Sequence, residues 1–373
     1  MYTKAEKLST VWYARDVAAL ERKIGQLMTI ALAGPELAAE ERSLLRDCRF
    51  GGVILFARNC VAPRRMAALC RSLWEVTPAP PLVAVDAEGG RIHRLPQPFT
   101  HFPPAAALGR SGDPALAYRI GRAVADELKL VGVNLVFAPV LDVASHPANP
   151  IGDRAFGADA ETVVRVALPW ARGLRDGGVI PCAKHFPGHG GAAGDSHHEL
   201  PAVTKTAREL LRTDLRPFIQ ACREGVESLM TAHVLFPALD PKRPATLSRR
   251  VLGGLLRGRL GYRGVVFTDD LEMAAISDRY SREEAALLAL SAGADVLLCC
   301  GDLLETAVLF EALARRAASD RTLRARVEES YRRVCVLKRK LSPPPGRFFE
   351  RRLAGLPGRA LAARLTADDR RCS

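Results

Sequence analysis

The chain has 373 residues, 48% of them hydrophobic and 25% charged, and a formal net charge of +13. This much apolar material forms a sizeable core, which excludes a disordered chain, and the length suits two average domains or one large α/β barrel. No run approaches the ~18 apolar residues of a membrane span, and the first residues lack the apolar segment of a signal peptide. We therefore expect a cytoplasmic protein without a membrane partner.

The basic excess is mostly arginine spread along predicted helices, with no lysine- and arginine-rich block and no basic stretch interleaved with aromatic residues. An arginine-rich soluble enzyme is thus a simpler interpretation than a nucleic-acid-binding protein. The nine cysteines are an odd number, are scattered, and never form a C-x-x-C pair. Their pattern favours free thiols in a reducing compartment over a disulfide framework or a zinc site.

Apolar runs alternate with helical patterns along the chain. Candidate strands are residues 24–33, 52–56, 81–85, 133–143, 179–182, 227–232, 264–268 and 295–299. Between most of them lies a predicted helix, such as the one that begins after Asp113 and stops near Gly132, and the one with a capping box at Thr206 that ends near Gly225. Eight β/α units predict an α/β fold, a (β/α)8 TIM barrel, with a doubly wound open sheet as the alternative.

The same pattern divides the chain into three parts. We expect an N-terminal lead over residues 1–23, a single TIM-barrel catalytic domain over residues 24–340, and a basic C-terminal tail over residues 341–373. The tail has no predicted function, and the sequence does not indicate an oligomeric state.

Polar side chains follow several of the predicted strands. They are Asp86, Asp142, Lys184, His185, His233 and Asp269. The carboxyl ends of barrel strands meet at one rim, and this rim carries the active site in essentially every enzyme of this class. The set therefore predicts a polar pocket at that rim.

The segment 183–201 follows a predicted strand, breaks at Pro187 and crosses a run of glycines. This composition predicts a long loop rather than a helix or a strand. Asp195 and His197 are two residues apart on it and can hydrogen-bond, and an imidazole oriented by a carboxylate is a competent proton donor near neutral pH. The glycines favour the hypothesis that this loop closes over substrate.

A second acidic group, Asp269-Asp270-x-Glu272, follows the predicted strand 264–268. Two acidic positions across one pocket suit glycoside hydrolysis, in which one carboxylate attacks or stabilises the anomeric centre and another group delivers a proton. Strand alternation does not choose between Asp269 and Asp270. Side chains suited to hydrogen-bonding sugar hydroxyls are Asp86, Arg94, Arg154 and Lys184.

Long motifs in this chain resemble, in the same order, those of glycoside hydrolase family 3, and in particular its single-domain bacterial β-N-acetylglucosaminidases. They are Val85-Asp86-x-Glu88-Gly-Gly-Arg91-x-x-Arg94, Ile151-Gly-Asp-Arg154-Ala-Phe156, Lys184-His-Phe-Pro-Gly-His-Gly190, Asp195-Ser-His197, Met230-Thr-Ala-His-Val234 and Phe267-Thr-Asp-Asp-Leu271. The resemblance covers about residues 24–320.

The resemblance implies a retaining mechanism on terminal β-linked N-acetylglucosamine, without a cofactor or a metal. It implies Asp269 as the nucleophile and His197 as the general acid/base, with Asp195 as the partner of His197. It also implies a carbohydrate partner, a cell-wall muropeptide in which N-acetylglucosamine is linked to 1,6-anhydro-N-acetylmuramic acid. The sugar-binding residues that it implies are Asp86, Arg94, Arg154, Lys184 and His185.

Two other activities stay open at this point. A histidine acid/base does not repel an incoming phosphate anion as a glutamate would, so a β-N-acetylglucosaminide phosphorylase is the nearer alternative. A metal-dependent TIM-barrel amidohydrolase is the other, with His185 and His189 among the ligands. Metal binding by H-x-x-x-H needs a helix, however, and Pro187 prevents one.

Overall fold

The computed structural model describes residues 18–372, so most of the predicted N-terminal lead lies outside the described residues. Eight parallel strands close into a barrel in which each strand pairs with its neighbours in the sequence and the last pairs with the first. These strands are β1 Met28–Ala31, β2 Gly52–Leu55, β3 Leu82–Val85, β4 Leu135–Val136, β5 Ile180–Phe186, β6 Ser228–Thr231, β7 Val265–Asp270 and β8 Val296–Cys299. The predicted TIM barrel is confirmed.

The strands β1, β2 and β3 are largely apolar because both of their faces are covered. Every residue of β1, β2 and β3 is buried, as expected for parallel strands enclosed by helices on one side and by the barrel interior on the other. In the interior, the rings of Phe137 and Phe267 meet edge to face with centroids 5.7 Å apart. The barrel is therefore a packed core, and its open space lies at the strand ends.

Helices cover the outside of the barrel. They are α1 Ala39–Asp47, α2 Pro63–Val76, α3 Ala105–Ser111, α4 Pro114–Val131, α5 Ala160–Asp176, α6 Ala207–Arg212, α7 Arg216–Arg223, α8 Ala274–Ser277, α9 Arg282–Ala292, α10 Leu303–Ser319, α11 Arg321–Lys338, α12 Glu350–Ala354 and α13 Gly358–Cys372, with a π-helix over Arg250–Arg259. The Asp113 carboxylate caps α4 by accepting from two backbone amides, and Gly132 ends this helix with a φ of 88°, as predicted.

The strand β5 is longer than predicted. It runs to Phe186, so the expectation of a loop from residue 183 is wrong for its first four residues. Backbone hydrogen bonds to the chain on both sides of β5 continue beyond residue 183. Lys184 N donates to Pro139 O at 3.0 Å, and Ala232 N donates to Phe186 O at 2.7 Å. Polar residues can stay in this strand because partners inside the barrel rim satisfy their side chains.

Two further predictions need correction. The single helix expected from Thr206 to near Gly225 is interrupted between α6 and α7, where the buried Asp214 separates them. The strand expected over 133–143 is only two residues long, Leu135–Val136; Pro139, which has no backbone N–H to donate to a neighbouring strand, follows three residues later. Neither change moves the strand ends away from the rim.

Short hairpins and a C-terminal helical segment complete the fold. One hairpin pairs Ala87–Gly89 with Ile92–His93, and another pairs Leu235–Phe236 with Asp240–Pro244. The helix α13 packs against α3 and α4. The division at residues 23 and 340 stays a prediction. Among residues 18–372, every helix is too short or too polar to span a bilayer.

Candidate active site

A pocket of about 350 Å³ opens at the carboxyl ends of the strands. The structure brings all eight sequence-predicted site residues to its walls: Asp86, Arg94, Arg154, Lys184, His185, Asp195, His197 and Asp269. Apolar side chains that share the pocket with them include Phe56, Phe137, Met230 and Met273. This mixture of an apolar surface and a few convergent polar groups is typical of a small-molecule site.

Alternating charges line one side of the pocket. Lys184 Nζ lies 2.9 Å from Asp86 Oδ1 and 2.7 Å from Glu88 Oε1. Arg154 binds Glu88 with two parallel contacts of 2.8 Å, and Arg94 Nε lies 3.9 Å from Asp86. Among the described residues, this Arg94 nitrogen is buried without a hydrogen-bond partner. The Arg94 side chain lines the pocket, and its pairing with Asp86 is longer than the contacts that Arg154 makes with Glu88.

The cations keep this side of the pocket ionised. Burial alone would raise the pKa of Glu88, but Lys184 and Arg154 lower it to about 2. Burial likewise opposes the charge of Lys184, yet its pKa is raised because Asp86 and Glu88 stabilise the ammonium. The cluster is thus a fixed set of donors and acceptors at neutral pH, suited to the hydroxyl groups of a sugar.

His185 is held by a buried carboxylate behind the strand ends. Its Nδ1 lies 2.6 Å from Asp142 Oδ2, and Asp142 Oδ1 accepts from the backbone amides of His185 and His189 at 3.2 and 2.6 Å. Burial would raise the pKa of Asp142, but the attraction of His185 and these hydrogen bonds lower it. An ionised Asp142 fixes the imidazole so that Nε2 is the free ring nitrogen of His185.

Two adjacent carboxylates at the end of β7 have different environments. Burial would raise the pKa of Asp269, but His233, His185, the Asp270 amide and Lys184 together lower it. For Asp270, burial dominates, repulsion from Asp269 adds to it, and the pKa rises to about 6. At neutral pH the pocket therefore holds an ionised Asp269.

Asp195 and His197 form a hydrogen-bonded pair, as the sequence predicts. His197 Nδ1 lies 2.7 Å from Asp195 Oδ1, and the backbone amide of His197 donates to the same oxygen at 3.0 Å. Burial tends to raise the pKa of Asp195, but these two bonds lower it. The His197 side chain is 65% exposed, so its ring faces solvent at the mouth of the pocket.

Sequence reasoning did not assign a role at the pocket to three further residues that shape it. Glu88 pairs with both Lys184 and Arg154. It lies two residues after Asp86 in one of the motifs quoted above, and this position could have indicated its role. Asp142 was identified only as a polar strand end, and its role in holding His185 required the structure. Cys300 lines the pocket directly after β8 and carried no polar signal.

Within residues 18–372, no three His, Cys, Asp or Glu side chains form a group that could hold a metal ion. His185 and His189 are near each other, with ring centroids 6.1 Å apart, but the Nδ1 of His185 is taken up by Asp142. The metal-dependent alternative therefore has no ligand set in that part of the chain.

Comparison with known proteins gives consistent matches. Residues 19–337 match the model of the glycosyl hydrolase family 3 N-terminal domain. A β-hexosaminidase of Alkalilimnicola ehrlichii is 43% identical over 283 residues, which are 74% of this chain and 81% of the relative. A β-hexosaminidase of Pseudomonas aeruginosa is 40% identical over 295 residues, covering 78% of this chain and 87% of the relative.

Solved structures agree with these sequence matches. A family 3 β-N-acetylglucosaminidase from Paenibacillus superposes with a TM-score of 0.86 at 38% identity, covering 94% of this chain and 68% of the other. NagZ from Neisseria gonorrhoeae, solved with N-trifluoroacetyl-D-glucosamine, superposes with a TM-score of 0.77 at 31% identity and covers 92% of this chain and 98% of the other.

Proposed function

The chain belongs to glycosyl hydrolase family 3, and from that premise we propose that it is a retaining exo-β-N-acetylglucosaminidase acting on terminal β-linked N-acetylglucosamine. One observation carries the proposal: a single pocket contains the half-buried carboxylate of Asp269 and the more exposed Asp195–His197 pair. A nucleophile and a separate proton donor are the two groups that a double displacement requires.

In the first step, an Asp269 oxygen attacks the anomeric carbon while the bond to the leaving group breaks. His197 gives the proton on Nε2 to the departing glycosidic oxygen, so the aglycone leaves as a neutral alcohol. Asp195 accepts a hydrogen bond from Nδ1–H of His197, which stabilises the imidazolium before the transfer. The same bond keeps the proton on Nδ1 afterwards, so that Nε2 is the nitrogen that has lost its proton. The products are a glycosyl ester on Asp269 and a neutral His197.

In the second step, His197 accepts a proton from water as the water oxygen attacks the anomeric carbon. The ester bond breaks, its electron pair returns to Asp269, and the sugar leaves with its original β configuration. The lowered pKa of Asp269 keeps its carboxylate ionised and so able to attack in the first step, and it makes the carboxylate a better leaving group in the second.

The charged side of the pocket supports an assignment as the sugar-binding surface. The side chains of Arg94 and Asp86, which both line the pocket, offer a donor and an acceptor to neighbouring hydroxyl groups. Removing either group leaves a polar atom of the sugar unsatisfied, which costs about 1–3 kcal/mol of binding. The assignment of Arg154, Lys184 and His185 to the same sugar is part of this proposal.

We further propose a muropeptide as the natural substrate, consumed in cell-wall recycling. The support is the similarity to NagZ and the match of the motifs, together with a net charge of +13, which is compatible with an anionic substrate. Phosphorolysis is the second candidate, favoured by the imidazole at the pocket mouth where a carboxylate would repel phosphate.

The test is release of 4-nitrophenol from 4-nitrophenyl β-N-acetylglucosaminide, with and without phosphate. We expect turnover in plain buffer, a loss of at least about 10³-fold in Asp269→Ala, and a loss of about 10²–10⁴-fold in His197→Ala. The matched control is His198→Ala, the adjacent exposed histidine, which does not line the pocket and should retain activity.

Three outcomes separate the readings. Full activity in Asp269→Ala contradicts the nucleophile assignment. A rate that rises with phosphate, with a sugar phosphate as product, replaces hydrolysis with phosphorolysis. Release of the α anomer, read by NMR in the first turnovers, contradicts a retaining mechanism.

A further inference from the structure

The loop over residues 187–200 carries the Asp195–His197 pair, and its first half is firmly attached to the barrel. Two backbone amides of the segment after β4 donate to Gly190 O at 3.2 Å. The Asn149 amide donates to the carbonyl oxygens of His189 and Ala192, at 2.9 and 2.5 Å. The path of the chain up to Ala192 is therefore fixed.

The second half of the loop is attached differently. Between residues 193 and 199, Ser196 is the one buried residue, with 3% of its surface exposed. Its Oγ lies 3.3 Å from His189 Nε2, and its carbonyl oxygen accepts from Ala275 N at 3.2 Å. Ala275 is in α8, which follows β7, the strand that carries Asp269. Ser196 thus connects the acid/base loop to the attached half of the loop and to the nucleophile segment.

His189 is suited to this contact. It is 4% exposed, burial lowers its pKa, and the ring is therefore neutral near pH 7. Its Nδ1 has no hydrogen-bond partner in residues 18–372, so the contact with Ser196 is the one polar contact of the ring that the described structure contains. Losing it leaves a second buried ring nitrogen unsatisfied, at a cost of about 1–3 kcal/mol.

The direction of Ser196 determines where its two neighbours point. With Ser196 turned inward, Asp195 and His197 lie outside and meet each other at 2.7 Å. The exposed His197 ring has little packing of its own to hold it at the pocket mouth. Its position relative to Asp269 therefore depends on the buried residue between the pair.

We propose that Ser196 is a positioning residue that holds the Asp195–His197 pair over Asp269, through the contact of its hydroxyl group with His189. This inference rests on the proposed glycosidase function, because it concerns the proton-transfer group of that reaction. Ser196 acts through His197, and it contributes nothing to attack by Asp269.

The test compares kcat/KM of Ser196→Ala on two substrates that differ in their need for a proton. A 2,4-dinitrophenyl glycoside leaves without protonation, whereas a methyl glycoside does not. We expect Ser196→Ala to lower kcat/KM by about tenfold for the methyl glycoside and to stay within about twofold of wild type for the dinitrophenyl glycoside. The matched control is Ser277→Ala, an exposed serine at the end of α8, which should leave both values unchanged.

A double variant makes the test decisive. Because Ser196 acts through His197, adding Ser196→Ala to His197→Ala should cause no further loss. An additive loss, an equal loss on both substrates, or behaviour identical to Ser277→Ala would each overturn the proposal. His189→Asn removes the same contact from the other side, so it should show the same dependence on the leaving group if Ser196→Ala folds poorly.

This test separates the inference from the proposed function. An inactive wild type, or a fully active His197→Ala, would reject the function itself. An active wild type that needs His197 but is insensitive to Ser196 would reject the positioning role alone. Hydrogen exchange gives a readout without activity, since residues 195–199 should exchange faster in Ser196→Ala than in Ser277→Ala.

Discussion

Two consecutive carboxylates at the end of β7 show how local environment separates residues that a sequence pattern treats alike. Asp269 faces His233, His185 and Lys184, and its pKa is lowered despite burial. Burial has the largest effect on the Asp270 carboxyl group and raises its pKa to about 6. Neighbouring groups whose pKa values are pushed apart in this way can take different roles at one pH. The difference supports Asp269 as the nucleophile.

The raised pKa of Asp270 predicts a pH-dependent effect on stability. The folded protein holds this proton more tightly than the unfolded chain, so stability falls as pH rises from about 4 to about 6. We expect Asp270→Asn to remove this loss, because its amide oxygen can still accept from the amides of Glu272 and Cys300. The variant should match wild type near pH 4 and be more stable by roughly 2 kcal/mol at pH 7.

Urea unfolding between pH 4 and pH 8 checks this expectation. Asp278→Asn, on an exposed residue close by, is the matched control and should show no such trend. If the gain in Asp270→Asn is the same at both ends of the range, the carboxyl group of Asp270 does not titrate as proposed.

At the residue scale, the sequence predicted the members of the site better than their contacts. All eight predicted residues share one pocket, while their roles stay predictions. Glu88 was not identified as a site residue from the sequence. Its role depends on the hairpin after β3, which turns its side chain toward Lys184 and Arg154. No spacing rule reveals a pairing between residues 66 positions apart.

At the scale of elements, the continuous helix that the sequence predicts is broken, and an ion pair at the break lies beneath the loop over residues 187–200. Asp214, in the break between α6 and α7, is fully buried and accepts from Lys205 Nζ at 2.6 Å. Lys205 also donates to Ser145 Oγ at 2.9 Å. A Cβ on Gly188 would lie 2.7 Å from Asp214 Cβ, and one on Gly191 would lie 3.2 Å from Lys205 Nζ. The loop therefore rests directly on this pair.

We expect Lys205→Met to loosen the attached half of the loop. The substitution keeps most of the side-chain volume but leaves the buried Asp214 carboxylate without its cation, which should cost about 3 kcal/mol of stability. Urea unfolding measures the loss, and hydrogen exchange should show reduced protection over residues 187–192. Lys242→Met, on an exposed lysine away from the loop, is the control. Unchanged protection in Lys205→Met would show that the ion pair does not hold the loop.

The predicted ends of strands and helices were wrong where tertiary contacts outweigh the local conformational preference of the sequence. The sequence predicts a loop at Lys184 and His185 because charged residues rarely occupy a buried strand. In the folded chain, Asp86, Glu88 and Asp142 neutralise and hydrogen-bond them, so β5 continues through both. Those partners come from two other strand ends, which local sequence does not place.

At the scale of the whole molecule, the predicted tail forms part of the folded surface. The helix α13 places Leu365, 1% exposed, against α3 and α4, and Arg364 pairs with Asp113 at 3.4 Å. A Cβ on Gly358 would lie 2.5 Å from both Glu127 Oε1 and Thr100 Oγ1, so the start of the helix sits closely on α4. From the sequence this segment was described only as basic, because its arginines are more conspicuous than the apolar residues that pack on the barrel helices.

Leu365 also lines a small cavity behind the hairpin that carries Glu88. We expect Leu365→Ala to lower the free energy of unfolding by about 2–4 kcal/mol, because it removes buried methyl groups and leaves a void. The matched control is Leu304→Ala on α10, where the leucine is 61% exposed and the same truncation should change stability by less than about 0.5 kcal/mol.

Urea unfolding of the two variants distinguishes a docked helix from a solvated one. If α13 packs as described, Leu365→Ala should unfold at a lower urea concentration than Leu304→Ala. Hydrogen exchange in Leu365→Ala should become faster in α13 while the strands β1–β8 are still protected. Equal midpoints for the two variants would mean that α13 contributes no buried surface in solution. The hairpin with Glu88 would then have to hold its place beside Lys184 and Arg154 without support from the C-terminal segment.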